Sequence, residues 1–394
     1  MTVANASKPL RILIVEDSEI DTELLLRELR RGNYQPTFER VETAAAMTTA
    51  LEQKTWDLVV ADFSMPQFNA LAALEVAKAK GPDLPFIIVS GTIGEELAVA
   101  AMKNGAKDYI MKGNLARLVP AVERELREAA VRAEQKRAEE RLRETQEEFR
   151  VAREIQQRLF PKTSPQPGPF DIAGATHPAQ ATGGDYFDYV TMADGCLGIV
   201  VADVTGHGVG PALLMAETRA YLRTLAMNAT DVGEILTGTH RALADDVDLE
   251  RYVTLLLAKL DPRTQLLTYA SAGHPTGYVL APTGAVKALL KPTGVPFGAP
   301  LKAPYTAAAP IPLAAGDIVL LVTDGIEEAT APDNGLFGVQ RILDVVRSHA
   351  QNTAREILQA IEHAVHQFSH NQPQLDDMTV AVVKVCPTHL LNSR

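Results

Sequence analysis

Between residues 10 and 125, short apolar runs alternate with stretches of helical period. The runs "LRILIV" (10–15), "WDLVVAD" (56–62), "LPFIIVS" (84–90) and "AKDYIMK" (106–112) are each bounded by turn residues. Between them lie helical patterns such as "IDTELLLRELRR" and "LAALEVAKAK". This alternation predicts parallel strands joined by crossover helices, an α/β doubly wound sheet.

The texture changes from Glu123 to Arg150, where more than half the residues are Glu, Lys or Arg and neither Gly nor Pro occurs. Such a stretch predicts a long exposed helix. Leu142, Thr145, Phe149, Ala152, Gln156 and Leu159 fall at heptad a/d spacing. Val122, Leu126, Ala129 and Ala133 form an earlier set out of register with it, so a coiled coil here contains a break. A single solvated helix spacing two domains also fits. A parallel two-stranded coil accounts better for Leu, Phe and Val on an exposed helix.

The Pro-rich "FPKTSPQPGPF" (160–170) ends the helix and opens a new domain. Beyond it come many short strand-like runs: "LGIVVAD", "RYVTLLLAKLD", "LLTYASAG", "GDIVLLVTDG" and "MTVAVVKV". Helical patterns near 210–247 and 339–370 separate them, which predicts an α+β domain with a mostly antiparallel sheet. The expected division is therefore 9–125, a helical (coiled-coil) linker over 126–160, and 161–387.

Bulk properties narrow the function. A chain of 394 residues suits two or three domains. A net charge of −11 argues against nucleic acid or an anionic membrane as the main partner, and suits carboxylates gathered around hard cations. Two distant cysteines make disulfide and zinc frameworks poor readings. Neither a signal peptide nor an 18-residue apolar span is visible, so a cytoplasmic location is expected.

The tetrapeptide "VVAD" occurs at 59–62 and again at 200–203. In a doubly wound sheet, functional groups collect at the carboxyl ends of the strands. Those ends carry Glu16 and Asp17, then Asp62, Ser90 and Lys112. The acids suit Mg²⁺. An aspartate beside that cation can act as nucleophile toward a phosphoryl donor, with lysine and serine holding the product's oxygens. Over residues 9–125 this pattern resembles the response-regulator receiver family. The resemblance implies a (βα)5 fold with Asp62 as phospho-acceptor. It also implies Mg²⁺ held by Glu16, Asp17 and Asp62, switch roles for Ser90 and Lys112, and a sensor histidine kinase as partner. The "MKGN" at 111–114 departs from the family's frequent proline after the lysine.

The second copy is followed by "VTGHGVGPALLM", which fits neither a G-x-x-x-x-G-K-[ST] loop nor a G-x-G-x-x-G fingerprint. That weakens a nucleotide cyclase or ATPase reading. Other acids lie at strand ends: Asp185 and Asp188 in "TGGDYFDYV", Asp324 in "VTDG", and Asp376–Asp377 before "MTVAVVKV". Carboxylates so placed can bind two hard cations that lower the pKa of a bridging water, the basis of phosphomonoester hydrolysis without a covalent intermediate. The ordered set "GGDYFD", "VADVTGHG", "AGHP", "GVPFG", "VTDGIEEA" and "DDMTVAVV" resembles the PPM-type serine/threonine phosphatases, in their SpoIIE/RsbU-like bacterial branch. The resemblance implies a four-layer αββα sandwich with two Mn²⁺ or Mg²⁺. Asp185, Asp203, the Val204 carbonyl, Asp324 and Asp376 would be the ligands. Asp377 is an alternative to Asp376, and Asp188 a supporting residue. No arginine lies close before "GGDYFD" to match the phosphate-binding arginine of the eukaryotic branch. His207 is shifted from the histidine proposed there as general acid, so His207 and His274 stand as acid-catalysis candidates with structural alternatives.

"VAREIQQRLFP" (151–161) resembles the entry segment of RsbU-like phosphatases. The expectation is a receiver that controls a phosphatase through the helix, as a homodimer. Its substrate would be a phosphoserine or phosphothreonine protein such as an anti-sigma-factor antagonist. The competing expectation is an inactive phosphatase fold that serves as a docking scaffold.

Overall fold

The computed structural model describes residues 7–81, 83–91, 99, 102–247, 250–370 and 372–387. Two compact units, Met1–Glu144 and Thr145–Arg394, share one continuous helix that crosses their division.

The first unit is built on a parallel sheet of order β2-β1-β3-β4-β5. Its strands are β1 (Lys8–Val15), β2 (Tyr34–Val41), β3 (Leu58–Asp62), β4 (Phe86–Ser90) and β5 (Asp108–Met111). Alternate side chains enter different cores. Leu13, Val15, Val59, Ala61 and Ile88 lie in one, and Ile12, Ile14, Val60, Ile87 and Val89 in the other. Burial on both faces explains why these strands read as unbroken apolar runs. Helices α1 (Glu19–Arg31), α2 (Ala44–Gln53) and α3 (Ala70–Lys80) each start from a side-chain cap, at Ser18, Thr43 and Asn69. A short 3₁₀ turn, Lys112–Arg117, leads into α4 (Leu118–Gln157).

In the second unit two five-stranded antiparallel sheets face each other. One has the order β13-β10-β9-β8-β7, comprising β7 (Tyr186–Thr191), β8 (Leu197–Val204), β9 (Val253–Asp261), β10 (Leu266–Ala272) and β13 (Ile311–Pro312). The other has the order β12-β11-β14-β15-β6, comprising β6 (Phe170–His177), β11 (Gly277–Leu280), β12 (Val286–Leu290), β14 (Ile318–Val322) and β15 (Met378–Val385). Ile199, Val201 and Leu256 of the first sheet meet Val319, Leu321 and Val383 of the second in the central core. The strands' opposite faces bury helices. Val200 and Leu257 pack with α5 (Val209–Ala226) and α6 (Val232–Ala242). Leu320, Val380 and Val382 pack with α8 (Gly338–Ser348) and α9 (Ala354–Phe368). A four-residue α7 (Asp324–Glu327) follows β14. The result is the expected four-layer αββα sandwich.

The heptad reading needs correction at its C-terminal end. Gln156 is buried and Leu159 packs into the second unit's own core, so neither belongs to a seam between chains. Leu142, Phe149, Val151 and Ile155 remain exposed. Among the described residues no helix is long and apolar enough to cross a membrane.

Candidate functional site

Each unit carries its own acidic site. In the first, the β1 strand delivers Glu16 and Asp17 and β3 ends on Asp62, because parallel pairing of Val15 with Ala61 brings both ends to one rim. Carboxylate oxygens of Glu16, Asp17 and Asp62 lie within 4.8 Å of one another, the one such cluster among the described residues. Three converging oxygens, two of them on buried residues, are a fitting donor set for a hard divalent cation.

Pairing of Asp62 with Val89 and of Ser90 with Met111 continues the rim, placing buried Ser90 beside the start of the 3₁₀ turn that carries Lys112. Lys112 Nζ donates to Asp21 Oδ2 at 2.5 Å, Glu16 Oε2 at 2.9 Å and Asp62 Oδ2 at 3.1 Å. Burial would lower the pKa of this ammonium, but the three carboxylates outweigh that effect and raise it. Glu16 is raised by its own burial, only partly offset by Lys112.

Two participants were not singled out from the sequence. Asp21, in the first turn of α1, holds Lys112. Arg40 donates to the carbonyls of Glu16 and Asp17 at 3.1 Å and fixes the acidic loop. Nothing local in "FERVE" marks that role, which depends on β2 pairing with β1.

In the second unit, Asp185, Asp203, Asp324 and Asp376 converge from four chain segments. Asp203 is the penultimate residue of β8, Asp324 opens α7, and Asp185 and Asp376 precede β7 and β15. Contacts group them: Thr323, beside Asp324, donates to Asp185 Oδ2 at 2.7 Å, and a Cβ on Gly325 would lie 3.4 Å from the Asp376 carbonyl carbon. Burial first, then the charges of Asp324 and Asp376, push Asp203 up to about 7. Asp185 is raised well above its ordinary value by burial and by Asp203, although Thr379 and Thr323 oppose the shift. Asp324 is raised by burial and by Asp376. No three of these oxygens converge as tightly as those of the first unit. None of the four acids enters a salt bridge with a described Lys, Arg or His. Crowded carboxylates without a protein cation fit divalent metal ions, and a wider spread of donors suits a pair of them.

Close backbone approach builds this cage. A Cβ on Gly184 would sit 2.3 Å from the Val204 carbonyl oxygen, so glycine there lets the Asp185 loop lie against the end of β8. A Cβ on Gly183 would meet Asp377 Oδ2 at 2.0 Å. Asp377 is committed to this loop: it accepts from Ala179 N at 2.8 Å and Asp185 N at 3.3 Å. Gln156, in the last turn of α4, also grips the loop. Its Nε2 donates to Gly183 O at 2.6 Å, and its Oε1 accepts from Gly183 N at 3.1 Å.

The structure separates the other candidates from the cage. Asp188 is fully buried and receives Arg223 Nε at 2.5 Å, Arg223 Nη2 at 2.6 Å and Tyr186 OH at 2.6 Å. It therefore joins β7 to α5 and does not support the metal ligands. His274 is buried, its Nδ1 2.9 Å from Thr254 Oγ1, and burial lowers its pKa to about 3. A neutral core imidazole is a structural element, since it carries no proton to give near neutral pH. Thr254 in turn pairs with Asp203 in the β8–β9 ladder. His207 lies exposed in the turn before α5.

These two sites on these two folds define a signalling protein in which a receiver precedes a metal-dependent phosphatase domain. The response regulator receiver domain family matches residues 12–123, and the Stage II sporulation protein E (SpoIIE) family matches 193–386. Phosphoserine phosphatase RsbU of Bacillus subtilis (strain 168) is 26% identical over 241 residues, 61% of this chain and 71% of RsbU. Protein IcfG of Synechocystis sp. is 23% identical over 404 residues, 94% of this chain but only 58% of IcfG. Among solved structures, the SiaA-PP2C domain of Pseudomonas aeruginosa superposes with a TM-score of 0.55 at 26% identity, covering 62% of this chain and 98% of that one. Residues 12–123 are thus a response regulator receiver domain and residues 193–386 a SpoIIE-type domain of the PP2C serine/threonine phosphatase class.

Proposed function

We propose that this chain removes phosphate from phosphoserine or phosphothreonine in a partner protein, under control of phosphorylation at Asp62. The convergence of Asp185, Asp203, Asp324 and Asp376, with Asp203 pushed up by its acidic neighbours, carries the hydrolytic reading. These four and the Val204 carbonyl would hold two Mn²⁺ or Mg²⁺, which when bound supply a water acidified toward hydroxide and neutralise phosphate charge. Asp377 and Gln156 position the Asp185 loop. Thr323, donating to Asp185 Oδ2 at 2.7 Å, fixes the direction of that carboxylate.

In the receiver, Glu16, Asp17 and Asp62 would hold Mg²⁺. Asp62 would accept a phosphoryl group from a sensor histidine kinase, with Lys112 and Ser90 turning to its oxygens. The domains we assign are 9–125, 126–160 and 161–387. Exposed Leu142 and Phe149, one heptad apart and therefore on one face of α4, supply apolar contacts through which it would pair with a second copy. The nearest substrate class, given the likeness to RsbU, is a phosphorylated partner-switching protein such as an anti-sigma-factor antagonist.

The test is hydrolysis of p-nitrophenyl phosphate by the full chain against Mn²⁺ and Mg²⁺ concentration, with Asp203→Asn beside it. Saturable metal dependence that the variant loses is the expected result. Inactivity of the wild type with metal demonstrably bound would turn the reading to a docking scaffold.

A further inference from the structure

The second unit contains a cavity of about 400 Å³ beside the acid cluster, where the end of α9, the segment leading to β15 and the end of α7 meet. Asp376 and Gly325, the residue after Asp324, form part of its wall, so the cavity adjoins the cage. Val365 of α9 and Met378 of β15, both buried, make an apolar floor. Over them stand Leu336 and Leu375, which are 55% and 76% exposed. The acidic charge at the rim comes from Glu328 and Asp376, His366 also lines the cavity, and among the described residues no lysine or arginine does. An apolar floor with a few polar groups at the mouth is the composition of a ligand pocket.

We propose that this cavity is a specificity pocket for the protein substrate, receiving a bulky apolar side chain within three residues of the phosphorylated serine or threonine. The proposal rests on the phosphatase reading of the acid cluster. A phosphoryl group seated among Asp203, Asp324 and Asp376 carries its own chain past Asp376. An extended chain advances about 3.3–3.6 Å per residue, so the side chain over Val365 and Met378 comes from a close sequence neighbour. Burial of that side chain also covers Leu336 and Leu375. The acidic rim opposes a second carboxylate there, so the substrate class is a phosphosite with an apolar neighbour and no Asp or Glu beside it.

The experiment uses the full chain with Mn²⁺ and phosphopeptides that differ only in Leu or Ser at each position from three before to three after the phosphoserine. Hydrolysis gives kcat/KM. Fluorescence polarisation of the same peptides carrying a non-hydrolysable phosphonate gives affinity without turnover. p-Nitrophenyl phosphate reports the acid cluster alone. Leu at one position should raise both kcat/KM and affinity about tenfold. Leu336→Gln should remove most of that preference, and Leu336→Met should keep it. Equal kinetics and equal affinity at every position, with p-nitrophenyl phosphate still hydrolysed, would overturn the pocket and leave the phosphatase standing. Loss of p-nitrophenyl phosphate turnover bears on the phosphatase reading, and polarisation then decides the pocket by the same Leu-over-Ser criterion. The same Leu preference in peptides lacking phosphate altogether would also overturn the proposal, since the cavity would then be unconnected with the phosphosite.

Discussion

At the scale of single residues, what surrounds a carboxylate decides its work. Asp185 and Asp188 are three residues apart at the start of one strand, so their side chains leave opposite faces. Asp185 meets other acids, whereas Asp188 meets Arg223. Removing one partner of a buried ion pair leaves an uncompensated charge, so Asp188→Ala should cost about 3–5 kcal/mol, read as a lower urea midpoint. Asp203→Asn should do the reverse: turnover falls by orders of magnitude while the urea midpoint holds or rises, because a charge crowded by like charges is gone. His274 adds a pH dependence. Its pKa falls from the ordinary 6.5 to about 3 in the fold. Between those values the unfolded chain binds a proton that the folded chain refuses, so stability drops as pH falls below about 6.5, by about 1.4 kcal/mol per pH unit. Asp185 and Asp203 act with opposite sign, since their raised pKa values favour proton uptake by the fold. The informative quantity is therefore the difference between wild type and His274→Gln across pH 5–7.5, where the variant should show the shallower acid-side fall.

Elements explain what the sequence could show. Strands buried on both faces, such as β3 and β4, announce themselves as apolar runs, and Asp62 and Ser90 at their ends were legible with them. The edge strand β2, "YQPTFERV", carries charges and a proline, so it passed unnoticed, and Arg40 with it. Asp188 was misassigned because a strand's alternation is invisible until the strand itself is identified, and "YFDYV" lacks a clean apolar period. Gln156 lay at a heptad position but does its work on a loop 27 residues onward. Only the tertiary fold brings those together. Gln156→Leu leaves the Gly183 N–H and C=O buried without partners, which should cost about 1–3 kcal/mol. Calorimetry should show weaker Mn²⁺ binding than in wild type, because the loop that presents Asp185 is no longer held. Unchanged Mn²⁺ affinity would mean that Asp377 alone fixes the loop.

On the scale of the whole molecule, one helix is covalently part of both units. The 40 residues of α4 follow the 3₁₀ turn that Lys112 opens, and in the last turn of the helix Gln156 grips Gly183. Under the proposed function, phosphorylation of Asp62 would draw Lys112 from Asp21 and Glu16, and Lys112 opens the 3₁₀ turn from which α4 continues. A shift in the last turn of α4 need only strain two hydrogen bonds to disturb the Asp185 loop. A coupling of about 1.4 kcal/mol, within the usual range for linked sites, is a tenfold change in the active population. Turnover of the full chain should therefore change by about that factor on adding beryllofluoride with Mg²⁺, and Asp62→Asn should abolish the response. Light scattering on the same samples should report a dimer that Leu142→Glu with Phe149→Glu weakens, and those substitutions should also blunt the beryllofluoride response if pairing of α4 transmits it. Equal turnover with and without beryllofluoride, and in Asp62→Asn, would show that the two acidic sites work independently. A response that survives loss of the dimer would place the signal within a single helix.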